Sequence, residues 1–90
     1  MKYLCIQARV LGKVQGVFYR DSARKKAQSL GIVGWVKNDN DGSVSLHACG
    51  DAEKIKQFIE WLHQGPLLAK VSHVDWGQIP TETHEGFTIR

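Results

Sequence analysis

The hydrophobic period of this chain switches several times between two and about 3.6, and no other feature limits its fold so strongly. Leu4, Ile6, Ala8 and Val10 are apolar, with Cys5, Gln7 and Arg9 between them. That alternation predicts a half-buried strand over roughly residues 3–11. After a turn containing Gly12 and Gly16, Ala23, Ala27 and Leu30 fall at i, i+4 and i+7, the spacing of one helix face. Gly31 is placed to end that helix in a left-handed conformation. Ile32 to Lys37 is β-branched and aromatic and reads as a second strand. The turn formers Asn38, Asp39, Asn40, Asp41 and Gly42 then close a hairpin onto a third strand, where Val44, Leu46 and Ala48 alternate with Ser45 and His47.

Gly50-Asp51 opens a second helix with Asp51 as the expected N-cap, and Ile55, Phe58, Ile59 and Leu62 form its buried stripe. Gly65-Pro66 stops it. Val71 to Gln78 is strand-like, and Phe87-Thr88-Ile89 makes a short last strand after a polar loop. The order is β-α-β-β-α-β plus that last strand. Each strand offers one apolar face, so two helices must cover one face of an antiparallel sheet. This is the α+β, ferredoxin-like split βαβ sandwich. Right-handed crossovers put the third strand between the first and second. The fold hosts many unrelated functions and fixes no chemistry.

The chain has 90 residues, so we expect one domain over residues 1–90, modestly stable for its size. Its 42% apolar and 23% charged residues match ordinary globular usage and argue against disorder. A net charge of +3 is too mild for a nucleic-acid footprint but compatible with a small anionic ligand. The basic run at Arg24, Lys25 and Lys26 reads as a solvated helix face. No apolar run approaches a membrane span, and the alternating N-terminus lacks the continuous apolar stretch of a signal peptide, so we place the protein in the cytoplasm. No exposed apolar stripe demands a dimer, and a monomer is expected. His47, His63, His73 and His84 are scattered without ligand spacing, so neither a metal site nor a cofactor is expected.

The connection between the first strand and the first helix carries the chemical information. Successive backbone N–H groups in a Gly-containing turn can converge on an anion. The helix N-terminus adds unsatisfied N–H groups and positive dipole. Arg20 adds a planar fork suited to phosphate oxygens. Three anion-favouring features thus meet at one spot, although the glycines by themselves can equally serve only the turn. Asn38 ends the second strand, which runs parallel to the first, so it reaches the same sheet edge as the Gly12–Arg20 loop. Its side chain can hold a water through carbonyl and amide, but it is also an ordinary turn residue.

Gly12-Lys13-Val14-Gln15-Gly16-Val17-Phe18-Tyr19-Arg20 resembles the acylphosphatase signature G-x-V-Q-G-V-x-F-R. Gly34-Trp35-Val36-Lys37-Asn38, followed by Gly42, Val44 and Gly50, resembles the second signature of that family. The resemblance covers essentially the whole chain. It departs at Tyr19, where the family usually has Phe or Met, and the hydroxyl there needs a partner or solvent. The resemblance implies hydrolysis of the carboxyl–phosphate bond of a small acyl phosphate, with inorganic phosphate as product and inhibitor. It implies phosphate binding by Arg20 and by the backbone N–H groups of Gln15, Gly16, Val17, Phe18, Tyr19 and Arg20, and a water-orienting role for Asn38. The alternative is a phosphate- or small-ligand-binding regulatory module of the same fold without turnover.

An RNA-recognition module shares this fold but carries aromatics on its third strand. Here that strand, Ser43 to Cys49, has none, and Trp35, Trp61 and Trp76 read as core and sheet packing, so no nucleic-acid partner is expected. Cys5 and Cys49 are out of phase with the apolar positions of their strands and should face away from the helices. A disulfide between them is geometrically possible, but reduced thiols are the expectation in the cytosol. Topology also brings Arg90 near the phosphate loop, where its carboxylate can pair with Arg20.

Overall fold

The computed structural model describes residues 2–90. Its elements are β1 (Tyr3–Lys13), α1 (Tyr19–Ser29), β2 (Val33–Asn38), β3 (Val44–Asp51), α2 (Ala52–Gln64), β4 (Lys70–Ile79) and β5 (Phe87–Ile89). One five-stranded sheet has the order β4-β1-β3-β2-β5, which places β3 between β1 and β2. β1 is antiparallel to both β3 and β4, and β2 is antiparallel to β3. The sheet is mixed rather than wholly antiparallel, because β5 runs parallel to β2. The cause is the route of segment 80–86, which leaves the β4 edge and returns the chain to the opposite edge in the direction of β2.

Both helices pack on one face of this sheet, giving the ferredoxin-like α+β arrangement. Ile6, Ala8 and Val10 of β1, Val36 of β2 and Val44, Leu46 and Ala48 of β3 supply the sheet side of the core. Tyr19, Ala23 and Ala27 of α1 and Ile55, Phe58 and Leu62 of α2 supply the other. Each fully buried large apolar side chain contributes roughly 1.5–3 kcal/mol of transfer free energy. Two small alanines let α1 lie close to the strands, whereas α2 fills its side with bulkier groups. Trp61 joins this core beside Tyr19 and Phe58, Trp35 lies on the opposite face, and Trp76 stays half exposed.

Asp51 occupies the N-cap position of α2, but its side chain makes no capping bond. The Ala52 N–H instead donates to the Lys2 carbonyl at 2.7 Å, so the chain's N-terminal segment satisfies that helix end. Where the sequence favours reduced thiols, Cys5 and Cys49 are joined by a disulfide. The antiparallel register of β1 and β3 sets the two residues directly opposite each other, on the face away from the helices.

Candidate active site

The site begins where β1 ends. The β1–β4 pairing is irregular between Leu11 and Gly12. Gly12 has φ 125°, and a Cβ there would lie 2.2 Å from the Lys70 carbonyl oxygen. Only a glycine lets the chain pass β4 at this point and leave the sheet. The next residues are pinned by burial, since Val14 and Val17 sit in the core. Between and after them the backbone turns sharply, with φ 74° at Gly16 and φ 66° at Phe18. A left-handed phenylalanine costs on the order of 1–2 kcal/mol, and the two valine anchors hold it there. Its ring is 73% exposed, so side-chain burial does not explain the conformation. Backbone strain of this kind concentrates at functional sites.

The consequence is a helix start with free donors. Phe18 is the N-cap of α1 and has no side chain able to cap it. The first local bond into the helix runs from Ser22 N–H to the Phe18 carbonyl at 3.0 Å. Among the described residues, no backbone carbonyl accepts from the N–H groups of Gly16 through Arg20. The start of α1, with the positive end of its dipole, borders one shallow depression of about 300 Å³. Gly16, Phe18, Tyr19, Arg20, Asn38 and Ile89 line it.

Arg20 is held from two sides. Its neighbour Tyr19 is fully buried, and the Tyr19 hydroxyl donates to the Leu62 carbonyl at 2.7 Å. That carbonyl belongs to the last turn of α2, where helical partners run out. The hydroxyl therefore has a partner, and burial pushes the phenol well above its ordinary range. The bond ties the first turn of α1 to the last turn of α2 and fixes the base of the Arg20 side chain. At its tip, Arg20 Nη1 donates to the Arg90 backbone oxygen at 3.2 Å. Arg90 is itself held by its N–H on the Val36 carbonyl at 2.8 Å and by its guanidinium 4.4 Å above the Trp35 ring.

Asp21, the next helical residue, also borders the depression, and a free carboxylate there would repel an anion. It is instead paired with Lys25 at 3.1 Å and Arg24 at 2.6 Å. A hydrogen bond from Lys25, with the Arg24 charge in support, holds its carboxyl below the usual range. The basic run of α1 thus neutralises the acid nearest the site.

Asn38 closes the far wall. It is the last residue of β2 and is exposed. Its position depends on a polar turn. Asp39 N–H donates to the Ser43 carbonyl at 2.9 Å, and Gly42 N–H returns to the Asp39 carbonyl at 3.2 Å. The Asp39 carboxylate accepts from Ser43 and Ser45. Arg9 donates to Ser43 Oγ at 3.1 Å and pairs with Asp41. Burial alone would raise the Asp39 carboxyl, but the Ser45 and Ser43 hydroxyls, with the charges of Lys37 and Arg9, hold it low. Gln15 then bridges loop and turn, because its Nε2 donates to the Asp39 and Ser43 carbonyls, each at 2.8 Å.

The acylphosphatase family model matches residues 6–89. An acylphosphatase of Coxiella burnetii (strain Dugway 5J108-111) is 51% identical over 86 residues, covering 96% of this chain and 90% of that protein. The chain belongs to the acylphosphatase family. The solved structure of an acylphosphatase from Coxiella burnetii superposes with a TM-score of 0.95 at 49% identity, over 98% of this chain and 93% of that one. That of acylphosphatase from Bacillus subtilis gives 0.94 at 32% identity, over 97% and 98%.

Of the residues expected on sequence grounds to form an acylphosphatase site, Gly16, Phe18, Tyr19, Arg20 and Asn38 share the depression. Gln15 and Val17 are not on its walls: Val17 is an anchor in the core, and the Gln15 side chain spans to the turn. Sequence reasoning missed three contributors. The Gln15 clamp has no local signature, the neutralised Asp21 is hidden in a generic charged helix turn, and Ile89 reaches the site only through the β5–β2 pairing.

Proposed function

We propose that this acylphosphatase hydrolyses the carboxyl–phosphate bond of small acyl phosphates by in-line attack of one water, giving a carboxylate and inorganic phosphate. The observation that supports this most is the meeting of Arg20, Asn38 and the start of α1 in one depression, beside loop N–H groups that no backbone carbonyl accepts from. Arg20 and the N–H groups from Gln15 to Arg20 hold the phosphoryl oxygens. Transfer of a phosphoryl group spreads charge over those oxygens, so fixed donors stabilise it without reorganising. Asn38 aims the water through its amide.

The chemistry needs little else. The leaving group is a carboxylate with a pKa near that of a glutamate side chain, about 4.3, so it departs without a general acid. Asn38 is no strong base, and the pH dependence near neutrality is shallow. A guanidinium and backbone dipoles supply the charge stabilisation, and the hydrolysis is metal-independent in this proposal. The rest of the reading is a monomeric, cytoplasmic enzyme of one domain, the last of these supported by the single core that joins both helices to the sheet.

Benzoyl phosphate hydrolysis in the presence of a chelator tests the assignment. Arg20→Lys keeps the charge but loses the fork, and we expect kcat/KM to fall by about 10²-fold or more, with weaker inhibition by inorganic phosphate. Asn38→Ala should lower kcat while leaving phosphate inhibition nearly unchanged. An Arg20→Ala enzyme with near-wild-type kcat/KM would sink the mechanism.

A further inference from the structure

The sheet face that the helices leave bare carries a cluster the hydrolysis does not use. Segment 80–86 crosses this face and is pinned at its far end by Gly34 N–H on the Gly86 carbonyl at 2.9 Å. Midway, Glu82 N–H donates to Cys5 Sγ at 3.3 Å. The Glu82 carboxylate stands between two imidazoles, 2.9 Å from His47 Nδ1 and 2.9 Å from His84 Nε2. Cys49 Sγ, a Glu82 carboxylate oxygen and a His84 ring nitrogen all lie within 4.8 Å of one another. Cys49 is buried, and Glu82 and His84, carried by the crossing segment itself, are half-buried. Two histidines that look scattered along the chain are therefore brought to one carboxylate beside two sulfurs.

This donor set has the chemistry of a zinc site. Thiolate, imidazole and carboxylate together suit a borderline-soft divalent cation. A tetrahedral zinc with bonds of about 2.0–2.3 Å asks its donors to stand roughly 3.3–3.8 Å apart. Closing in from 4.8 Å or less is a movement within reach of side-chain rotation in the segment that carries Glu82 and His84. The disulfide withholds the sulfurs, because a metal ligand must be a thiolate.

We propose that reduction of the Cys5–Cys49 disulfide opens a zinc-binding site formed by the two released thiolates, His84 and Glu82, with His47 orienting the Glu82 carboxylate from behind. The step balances with a dithiol as reductant. Its thiolate attacks one sulfur, its second thiol resolves the mixed disulfide, and the dithiol leaves as its own disulfide with two electrons moved to the protein. Cys5 and Cys49 each gain a proton and lose it to solvent when the metal binds. The site is closed when oxidised and available when reduced, which couples metal occupancy to thiol poise. It lies on the sheet face opposite the core and is separate from the acyl phosphate site.

The test uses the full chain, oxidised or reduced with a phosphine that brings no thiolate ligand of its own, and titrated with Co²⁺ as a spectroscopic stand-in for Zn²⁺. The reduced protein should develop a thiolate-to-cobalt charge-transfer band and tetrahedral visible bands at one metal per chain, displaced by Zn²⁺. The oxidised protein should show neither. His84→Ala, which leaves the bridge-forming cysteines in place, should weaken the reduced protein's cobalt affinity at least tenfold. His47→Ala should weaken it by about 10–100-fold, the usual effect of losing a group that orients a ligand. Absence of a charge-transfer band in reduced protein overturns the proposal, whether the chain stays folded by circular dichroism or not. A band that survives His84→Ala at unchanged affinity also overturns the assignment, since the sulfurs would then act without this face.

Discussion

Replacing Gln15 by methionine separates the two jobs its position performs. The backbone N–H of residue 15 is kept, and so is the side-chain length. What is lost is the Nε2 donor to the Asp39 and Ser43 carbonyls, two bonds of 2.8 Å. A neutral hydrogen bond contributes about 0.5–1.5 kcal/mol net. Neither carbonyl is orphaned by the change, since Asp39 O still accepts from Gly42 and Ser43 O from Asp39. The loss in stability therefore falls at the lower end of the summed range, about 1–2 kcal/mol. The kinetic effect should be larger in proportion, because the clamp fixes the turn that begins at Asn38. Misplacing a water-positioning group by about 1 Å costs up to about 10²-fold in rate. We expect kcat for benzoyl phosphate to fall by about 10–100-fold while inhibition by inorganic phosphate stays within about twofold, since the loop donors are untouched. Urea unfolding and steady-state kinetics on one preparation measure both. A variant that loses stability but keeps kcat refutes the link between the clamp and Asn38. A parallel fall in kcat and phosphate affinity would show that Gln15 shapes the loop itself.

Tyr19→Phe leaves the Leu62 carbonyl without its 2.7 Å partner in the last turn of α2, and we expect about 1–2 kcal/mol of destabilisation by thermal unfolding; an unchanged midpoint would mean water replaces the hydroxyl. Gly12→Ala sets a methyl against the Lys70 carbonyl at 2.2 Å in a backbone region alanine avoids, and we expect a loss of at least about 1–3 kcal/mol in urea unfolding. The Asp39 carboxyl is depressed in the folded chain, so the stability it lends is fully present above its unfolded value, about 3.9, and is lost as pH falls through the lower folded value. Asp39→Asn should therefore be less stable than wild type near neutrality and converge with it at the acid end, and parallel curves from pH 7 to pH 2 would remove Asp39 from the account.

The elements of this fold were legible because period and punctuation agree along the chain. Leu4, Ile6, Ala8 and Val10 alternate and form β1, and Gly31 and Gly65 both take positive φ where the helices end. The bend between β1 and α1 was legible by its glycines, Gly12 and Gly16, which both take positive φ, whereas an anion-binding role rested on the resemblance. What remained hidden depends on contacts across long sequence separations, which a period cannot report. Gln15 meets Asp39 and Ser43 24 and 28 residues away, and Glu82 meets Cys5 and His47 77 and 35 residues away. The direction of β5 is of the same kind, because a three-residue strand carries no signal of which neighbour it joins. Tyr19 shows the converse. As a departure from the family pattern it marked a polar atom in need of a partner, and the structure supplies one in the Leu62 carbonyl at the end of α2. A mismatch in a motif thus flagged a need for a partner or solvent, and the fold met it with a tertiary contact. That contact ties the first turn of α1 to α2 next to Arg20, so the residue that breaks the pattern also anchors the turn from which the Arg20 guanidinium extends.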